Sequence, residues 1–218
     1  MTAKVFWQDP YLTRLQTRIA AVDGDQVSVE ETIFYAEAGG QESDHGCFDD
    51  KRVLQARWQD KEIVYTLESG HGFRPGSTVE ISIDWARRYR LMRLHFAAEI
   101  VLELAYLNLP GIEKIGAHIA PDKARIDFAW QHNISQAFAL LTEKANAIVT
   151  ADRVIVSAFS DEAAELRYWE ISDLARVPCG GTHLKRTGEI GKIELKRKNV
   201  GKGKERIEIF AAETAGQA

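Results

Sequence analysis

A single stretch of helical spacing, residues 85–107, limits how this chain can be laid out, because it separates a strand-rich half from a mixed one. Leu91, Leu94, Ala98, Val101 and Ala105 recur there at intervals of three and four. With each residue turned about 100° from the last, they fall on one face, as an amphipathic helix requires. Asp84 stands where an N-cap belongs, and Asn108-Leu109-Pro110-Gly111 supplies the stop. His95 and Glu99 lie one turn apart on the flank of the apolar stripe, beside Met92 and Tyr106. The change of pattern at Asp84 places a boundary near residue 85, so domains are expected over 1–85 and 86–218.

Before the helix the chain reads as strands. Residues 13–22 and 26–34 are β-rich and are joined by Asp23-Gly24-Asp25, a hairpin signal. Shorter runs follow at 52–58, 62–67 and 78–83, and the breaker-rich stretch 70–76 is a loop. Several short strands at this spacing predict a small β-barrel. In the loop 34–46, Gly39-Gly40-Gln41 permits close backbone approach to another surface, although a wide turn would read the same way. Beyond the helix, 115–119 and 124–130 are strand-like, and a helix is expected over 134–149 with Asn133 or Ser135 as cap. Residues 154–159 read as another strand, Asp161-Glu162 as a turn or short helix. The segment 171–177 leads through Pro178 into Cys179-Gly180-Gly181-Thr182-His183. Two runs, 190–195 and 206–210, close the chain as a β pair joined by a basic connector over 196–204.

Composition narrows the function classes. A formal charge of −4 and a pI of about 5.9 exclude a blanket binder of nucleic acid. The charge is uneven, however: residues 184–206 carry nine Lys/Arg against three Glu, and a second basic cluster is Arg87, Arg88, Arg90 and Arg93. Local basic surfaces on an acidic protein suit a polyanion docking in one place, while a solvated strand pair and helix start would look alike. Two distant cysteines, Cys47 and Cys179, make no disulfide framework and fit a reduced setting. No signal-peptide pattern and no bilayer-spanning run are present, so a soluble cytoplasmic protein is expected.

The chemistry concentrates in two segments. Cys179 and His183, four apart across two glycines, can both reach one metal ion, and His95 with Glu99 offers two more donors from a rigid helix. Thiolate, imidazole and carboxylate are ordinary zinc ligands, so one Zn2+ per chain is expected. Ligation by all four resembles a structural site. Ligation by His95, Cys179 and His183, with Glu99 beside them, leaves a position open for water whose pKa the metal would lower. Each half alone has a bland reading: a helical His–Glu pair is commonly a surface contact, and a loop cysteine commonly inert.

These residues resemble the alanyl-tRNA editing proteins of the AlaX type, in their two-domain form, which are similar to the editing part of alanyl-tRNA synthetase. The family's F-Y-x-E-x-G-G-Q-x-x-D-x-G loop matches residues 34–46, and its H-x-x-x-H helix matches His95 to Glu99. Its C-G-G-T-H and T-G-E-I-G segments match 179–183 and 187–191, and its G-x-H-V and R-x-D-F segments resemble 116–119 and 125–128. The resemblance spans nearly the whole chain. It implies an α+β protein: an N-terminal small β-barrel, then an α/β editing domain of the threonyl/alanyl-tRNA synthetase type. It also implies a hydrolase that removes serine or glycine from mischarged tRNA(Ala), with tRNA(Ala) as partner and no membrane. Gly116, His118 and Thr182 become candidates for the substrate pocket, and Gln41 for a catalytic residue reaching the same cleft. Arg87, Arg88, Lys196, Arg197, Lys198, Lys202 and Lys204 are the candidate phosphate contacts.

One departure marks this chain. Glu99 stands where the family has its second helix histidine, and Phe96 where a threonine usually follows the first. Glu99 is therefore a ligand, a catalytic base or the sign of a weakened site. Two other classes stay open: a relative that binds tRNA without metal or catalysis, and a metallohydrolase acting on a small ester.

Overall fold

The computed structural model describes residues 2–201 and 203–212. The chain is an α+β protein, mostly sheet with two α-helices among the described residues. It divides into two compact units, Met1–Ala38 with Glu42–Tyr89, and Gly39–Gln41 with Arg90–Ala218.

The first unit contains β1 (Ala3–Lys4), β2 (Arg14–Asp23), β3 (Gln26–Val29), β4 (Glu31–Thr32), β5 (Gly46–Phe48), β6 (Lys51–Gln59), β7 (Glu62–Leu67) and β8 (Thr78–Ile83). Six of them close into a barrel in the order β2-β3-β7-β6-β5-β8, while β1 and β4 pair in parallel. Strict alternation drives this closure: Ile63, Tyr65 and Leu67 of β7, and Val79, Ile81 and Ile83 of β8, all point inward. Register shifts between Ile19 and Ala21 and between Val53 and Gln55 bend the longest strands, as a small barrel demands.

A buried ion pair closes this unit. Arg88 Nε donates to Asp44 Oδ1 at 2.8 Å and its Nη2 to Asp44 Oδ2, while Nη1 and Nη2 also reach the carbonyls of Pro10 and Ile33. Asp44 Oδ2 further accepts from Tyr35 N at 2.7 Å. Both charged side chains are wholly buried. Arg87 is also buried, with Nη2 on Glu42 Oε2 at 2.6 Å and Nε on the Ser43 carbonyl. The expected phosphate contacts at Arg87 and Arg88 are thus corrected: both guanidiniums are spent inside the protein on the carboxylate-bearing loop, out of reach of a polyanion. Of the same cluster, Arg90 is exposed and Arg93 buried.

The helix α1 (Trp85–Asn108) begins in the first unit and continues into the second. Its cap is the expected one, with Asp84 Oδ1 accepting from Arg87 N at 3.0 Å. Its burial is not the expected single stripe. Eight successive residues, from Leu91 through Ala98, are buried, which a helix tolerates only when surrounded on all sides. The polar members of that run accordingly find internal partners: Arg93, for instance, donates through Nε and Nη2 to the Ile190 carbonyl.

The rest of the second unit contains β9 (Glu113–Ile119), β10 (Ala124–Ala129), α2 (Phe138–Thr150), β11 (Val156–Asp161), β12 (Leu166–Ile171), β13 (Ala175–Pro178), β14 (Ile193–Asn199) and β15 (Lys204–Ala211). They form a four-stranded antiparallel sheet, β14-β15-β10-β9, and a three-stranded one, β11-β12-β13. The expected helix over 134–149 opens with a 3-10 turn, Ile134–Ala137, capped by Asn133, and becomes α-helical at Phe138. Asn146 ties α2 to the sheet by exchanging bonds with the backbone of Ile193. The basic connector is shorter than expected, because Lys196, Arg197 and Lys198 already lie in β14 and Lys204 opens β15. No helix among the described residues is long and apolar enough to cross a membrane.

Candidate metal centre

The site is assembled from α1, the loop after β13 and the tripeptide Gly39–Gln41. The strand pair β12–β13 ends at Tyr168↔Pro178, so the chain leaves the sheet at Cys179. Arg167 steadies that exit twice: its carbonyl accepts from Cys179 N at 2.9 Å, and its Nη1 donates to the Gly181 carbonyl at 3.4 Å. Of the two loop glycines only Gly181 is required by space. A Cβ there would stand 2.1 Å from His95 Cε1, whereas one on Gly180 would meet nothing within 4 Å. The loop can therefore lie against the His95 ring only because residue 181 has no side chain.

Three donors converge. One ligand atom from each of His95, Cys179 and His183 lies within 4.8 Å of the others. Cys179 Sγ is 3.4 Å from His95 Nε2 and 3.3 Å from His183 Nε2. The ring nitrogens on the far sides are engaged. Gln41 Nε2 donates to Thr182 Oγ1 at 2.9 Å, which turns Gln41 Oε1 toward His95 Nδ1 at 2.6 Å and makes that nitrogen the donor. His183 Nδ1 pairs with Ser157 Oγ at 2.8 Å. With Nδ1 engaged in both rings, the two Nε2 atoms face the sulfur, which is the outer-shell pattern that orients histidine ligands.

The electrostatics agree with this arrangement. Burial alone would lower the His95 pKa, but Cys179 and Glu99 facing it push it up to about 10. The metal-free ring thus holds a second proton on Nε2, which a cation would displace. His183 is held well below its usual range by burial, then by the positive His95 and Arg167, and so stays neutral. Glu99 is opposed by burial but is kept low by its bonds to His95 and Trp169, and is ionised at neutral pH.

Glu99 stands beside the three donors and outside their group. Its Oε1 is 3.4 Å from His95 Nε2, and its Oε2 accepts from Trp169 Nε1 at 2.9 Å. Phe96, one residue after His95, packs edge-on against both Trp169 and His183 at 5.2 and 5.6 Å between ring centres.

The other sequence candidates fall into two groups. Gln41 and Thr182 are wholly buried within the cluster. Gly40 carries the chain alongside β9: its carbonyl accepts from Ile119 N at 2.7 Å, and a Cβ at its φ of +87° would collide with the Ala117 carbonyl. Gly116 and His118 lie in that same strand β9, opposite Asp127 and Arg125 of β10. Farther along the sheet Lys196, Lys198 and Lys204 are exposed, whereas Arg197 is forked onto Glu205 at 2.6 and 2.5 Å. Lys202 lies outside the described residues. The sequence did not single out Ser157, Arg167 or Trp169. For the last two a signal exists, the alternation of Leu166-Arg167-Tyr168-Trp169-Glu170-Ile171 that marks a strand, while Ser157 carries none. A cavity of about 640 Å3 lies against α2, lined by Phe138, Thr142, Asn146, Val149 and Lys192 among others, and none of the three donors lines it.

The donor set fits a divalent ion of zinc's character, since one sulfur and two oriented imidazole nitrogens are its preferred ligands. Residues 170–208, which include the whole loop, match the model of the threonyl and alanyl tRNA synthetase second additional domain. Over 96% of its length the chain is 30% identical to the alanyl-tRNA editing protein AlaX-M of Pyrococcus horikoshii, covering 98% of that protein. The AlaX-M protein of Saccharolobus solfataricus is also 30% identical, over 95% of this chain and 98% of its own. The alanine–tRNA ligase of Metallosphaera sedula is 30% identical over 89% of this chain, a match confined to 24% of the ligase. With the loop, the helix histidine and near full-length likeness in agreement, this chain belongs to the alanyl-tRNA editing protein family of the AlaX-M type.

Proposed function

We propose that the protein is a trans-acting aminoacyl-tRNA deacylase that hydrolyses Ser-tRNA(Ala), Gly-tRNA(Ala) or both, with one Zn2+ held by His95, Cys179 and His183. The observation that carries this reading is the convergence of Nε2, Sγ and Nε2 with both far-side imidazole nitrogens engaged. An ion held there would polarise the ester carbonyl or lower the pKa of a water molecule.

The chain's own residues have distinct tasks in this reading. Water adds to the carbonyl carbon of the ester, and the terminal ribose oxygen leaves with a proton. Glu99, ionised and beside the donors, is the group able to take the proton from the attacking water. Gln41 acts one step back, holding the His95 tautomer and the Thr182 hydroxyl together. Thr182 and the strand segment Gly116–His118 border the pocket for the amino acid. A pocket that hydrogen-bonds the serine hydroxyl discriminates against alanine, which would leave those groups unpaired. The exposed Lys196, Lys198 and Lys204 serve the tRNA phosphates, so binding weakens as salt rises. In domain terms, 1–85 is the barrel domain and 86–218 carries the deacylase centre.

Deacylation of Ser-tRNA(Ala), Gly-tRNA(Ala) and Ala-tRNA(Ala), measured side by side with and without a zinc chelator, tests the proposal. Release of serine or glycine that the chelator stops, with Ala-tRNA(Ala) spared, is the expected outcome. Retained tRNA binding with no release from any of the three would instead identify a non-catalytic relative.

A further inference from the structure

Trp169 is a wholly buried side chain, and its indole N–H has one acceptor at 2.9 Å, Oε2 of Glu99. The two residues come from different elements, β12 and α1, 70 positions apart. The Trp169 ring also rests edge-on against Phe96, so its position is set by packing as well as by the hydrogen bond. Glu99 is thereby divided between two tasks. One oxygen is held by the indole, and the other points at His95 Nε2, 3.4 Å away, on the side where the Cys179 sulfur also approaches. A freely rotating carboxylate could swing away from the donors or meet a cation with both oxygens. One with Oε2 tied down can do neither.

We propose that Trp169 is a positioning residue for the metal centre: by fixing Oε2 of Glu99 it presents Oε1 alone to the donor cluster, so that the carboxylate lends its charge there through a single oxygen. The inference rests on the reading of His95, Cys179 and His183 as metal ligands. Groups that orient a ligand or its neighbour from outside typically account for 10- to 100-fold in metal affinity. The indole N–H acts on Glu99 only, so the effect of that hydrogen bond must vanish when Glu99 is absent.

Binding of Zn2+ and of Co2+, each as the metal alone, to the full metal-free chain tests this. Trp169→Phe keeps an aromatic ring but removes the N–H, and is expected to weaken Zn2+ binding about tenfold. In a Glu99→Ala background the same substitution is expected to change affinity no further, and the absorption bands of the Co2+ form should be altered by either single substitution. Equal losses in both backgrounds would reduce Trp169 to packing against Phe96 and overturn the proposal, as would an unchanged affinity in Trp169→Phe. A wild type that takes up neither ion overturns the metal reading itself, and this inference with it. The indole N–H resonance of wild-type Trp169, identified by its proximity to the Phe96 ring, needs no variant to fold. It is expected to move when Zn2+ is added, and a resonance that stays in place speaks against the coupling.

Discussion

The loop between Phe34 and Gly46 feeds two buried polar centres that are built on opposite principles. Asp44 supplies the first unit's ion pair with Arg88, where a carboxylate meets a guanidinium and the remaining donors end on the carbonyls of Pro10 and Ile33. Gln41 supplies the second unit's cluster, where two imidazoles and a sulfur, all capable of binding a cation, are turned toward one another. In the first, opposite charges neutralise each other and nothing further is needed. In the second, like-natured ligand atoms are gathered and their proton balance is distorted, as the raised His95 and lowered His183 record. A centre that completes itself holds a fold together; one that concentrates lone pairs is prepared for a third party.

The largest expected effect lies in the self-completing centre. Removing one partner of a fully buried pair leaves the other charge without compensation, at about 3–5 kcal/mol. Arg88→Met should therefore lower the unfolding free energy by about that amount in urea titration. If Zn2+ affinity fell as steeply as stability in the same variant, the separation of the two centres would fail.

Titration should separate the centres next. His95 is raised from 6.5 to about 10 in the metal-free protein. Its contribution to stability is thus fully present below pH 6.5 and is lost as pH rises through about 10. Metal uptake runs the other way. Because the ion must displace the Nε2 proton, affinity should rise with pH up to about 10, by roughly tenfold per unit from this group, with protons released on binding. Calorimetry of Zn2+ binding in buffers of different ionisation enthalpy counts those protons. A pH-independent affinity without proton release would mean that His95 is not a ligand.

How much of this was legible in the sequence follows the distance over which each signal acts. Runs 62–67 and 78–83 coincide with β7 and β8, and Asp84 caps α1, because alternation and capping are local. Cys179 and His183 stand out because their spacing lies within one loop, and His95 because it shares a helical turn with Glu99. Partners fixed by tertiary structure left no trace. Trp169 meets Glu99 across 70 positions, and Ser157 meets His183 across 26. Arg88 shows the same limit in reverse. In sequence it belongs to a basic cluster at a helix start, which reads as surface, and its burial depends on a carboxylate 44 positions earlier. The buried turns of α1 look one-sided in the sequence for a related reason, since His95 and Arg93 count as polar until their internal acceptors are known.

Phe96 and Glu99, which the sequence resemblance marks as departures in the helix motif, both touch Trp169. They therefore alter one neighbourhood of the centre, while the three donors still converge. Metal analysis of the purified wild type beside Cys179→Ala addresses the central claim most directly. One zinc per wild-type chain, none in Cys179→Ala and an unchanged circular dichroism spectrum are expected. A metal-free wild type that still deacylates Ser-tRNA(Ala) or Gly-tRNA(Ala) would contradict it.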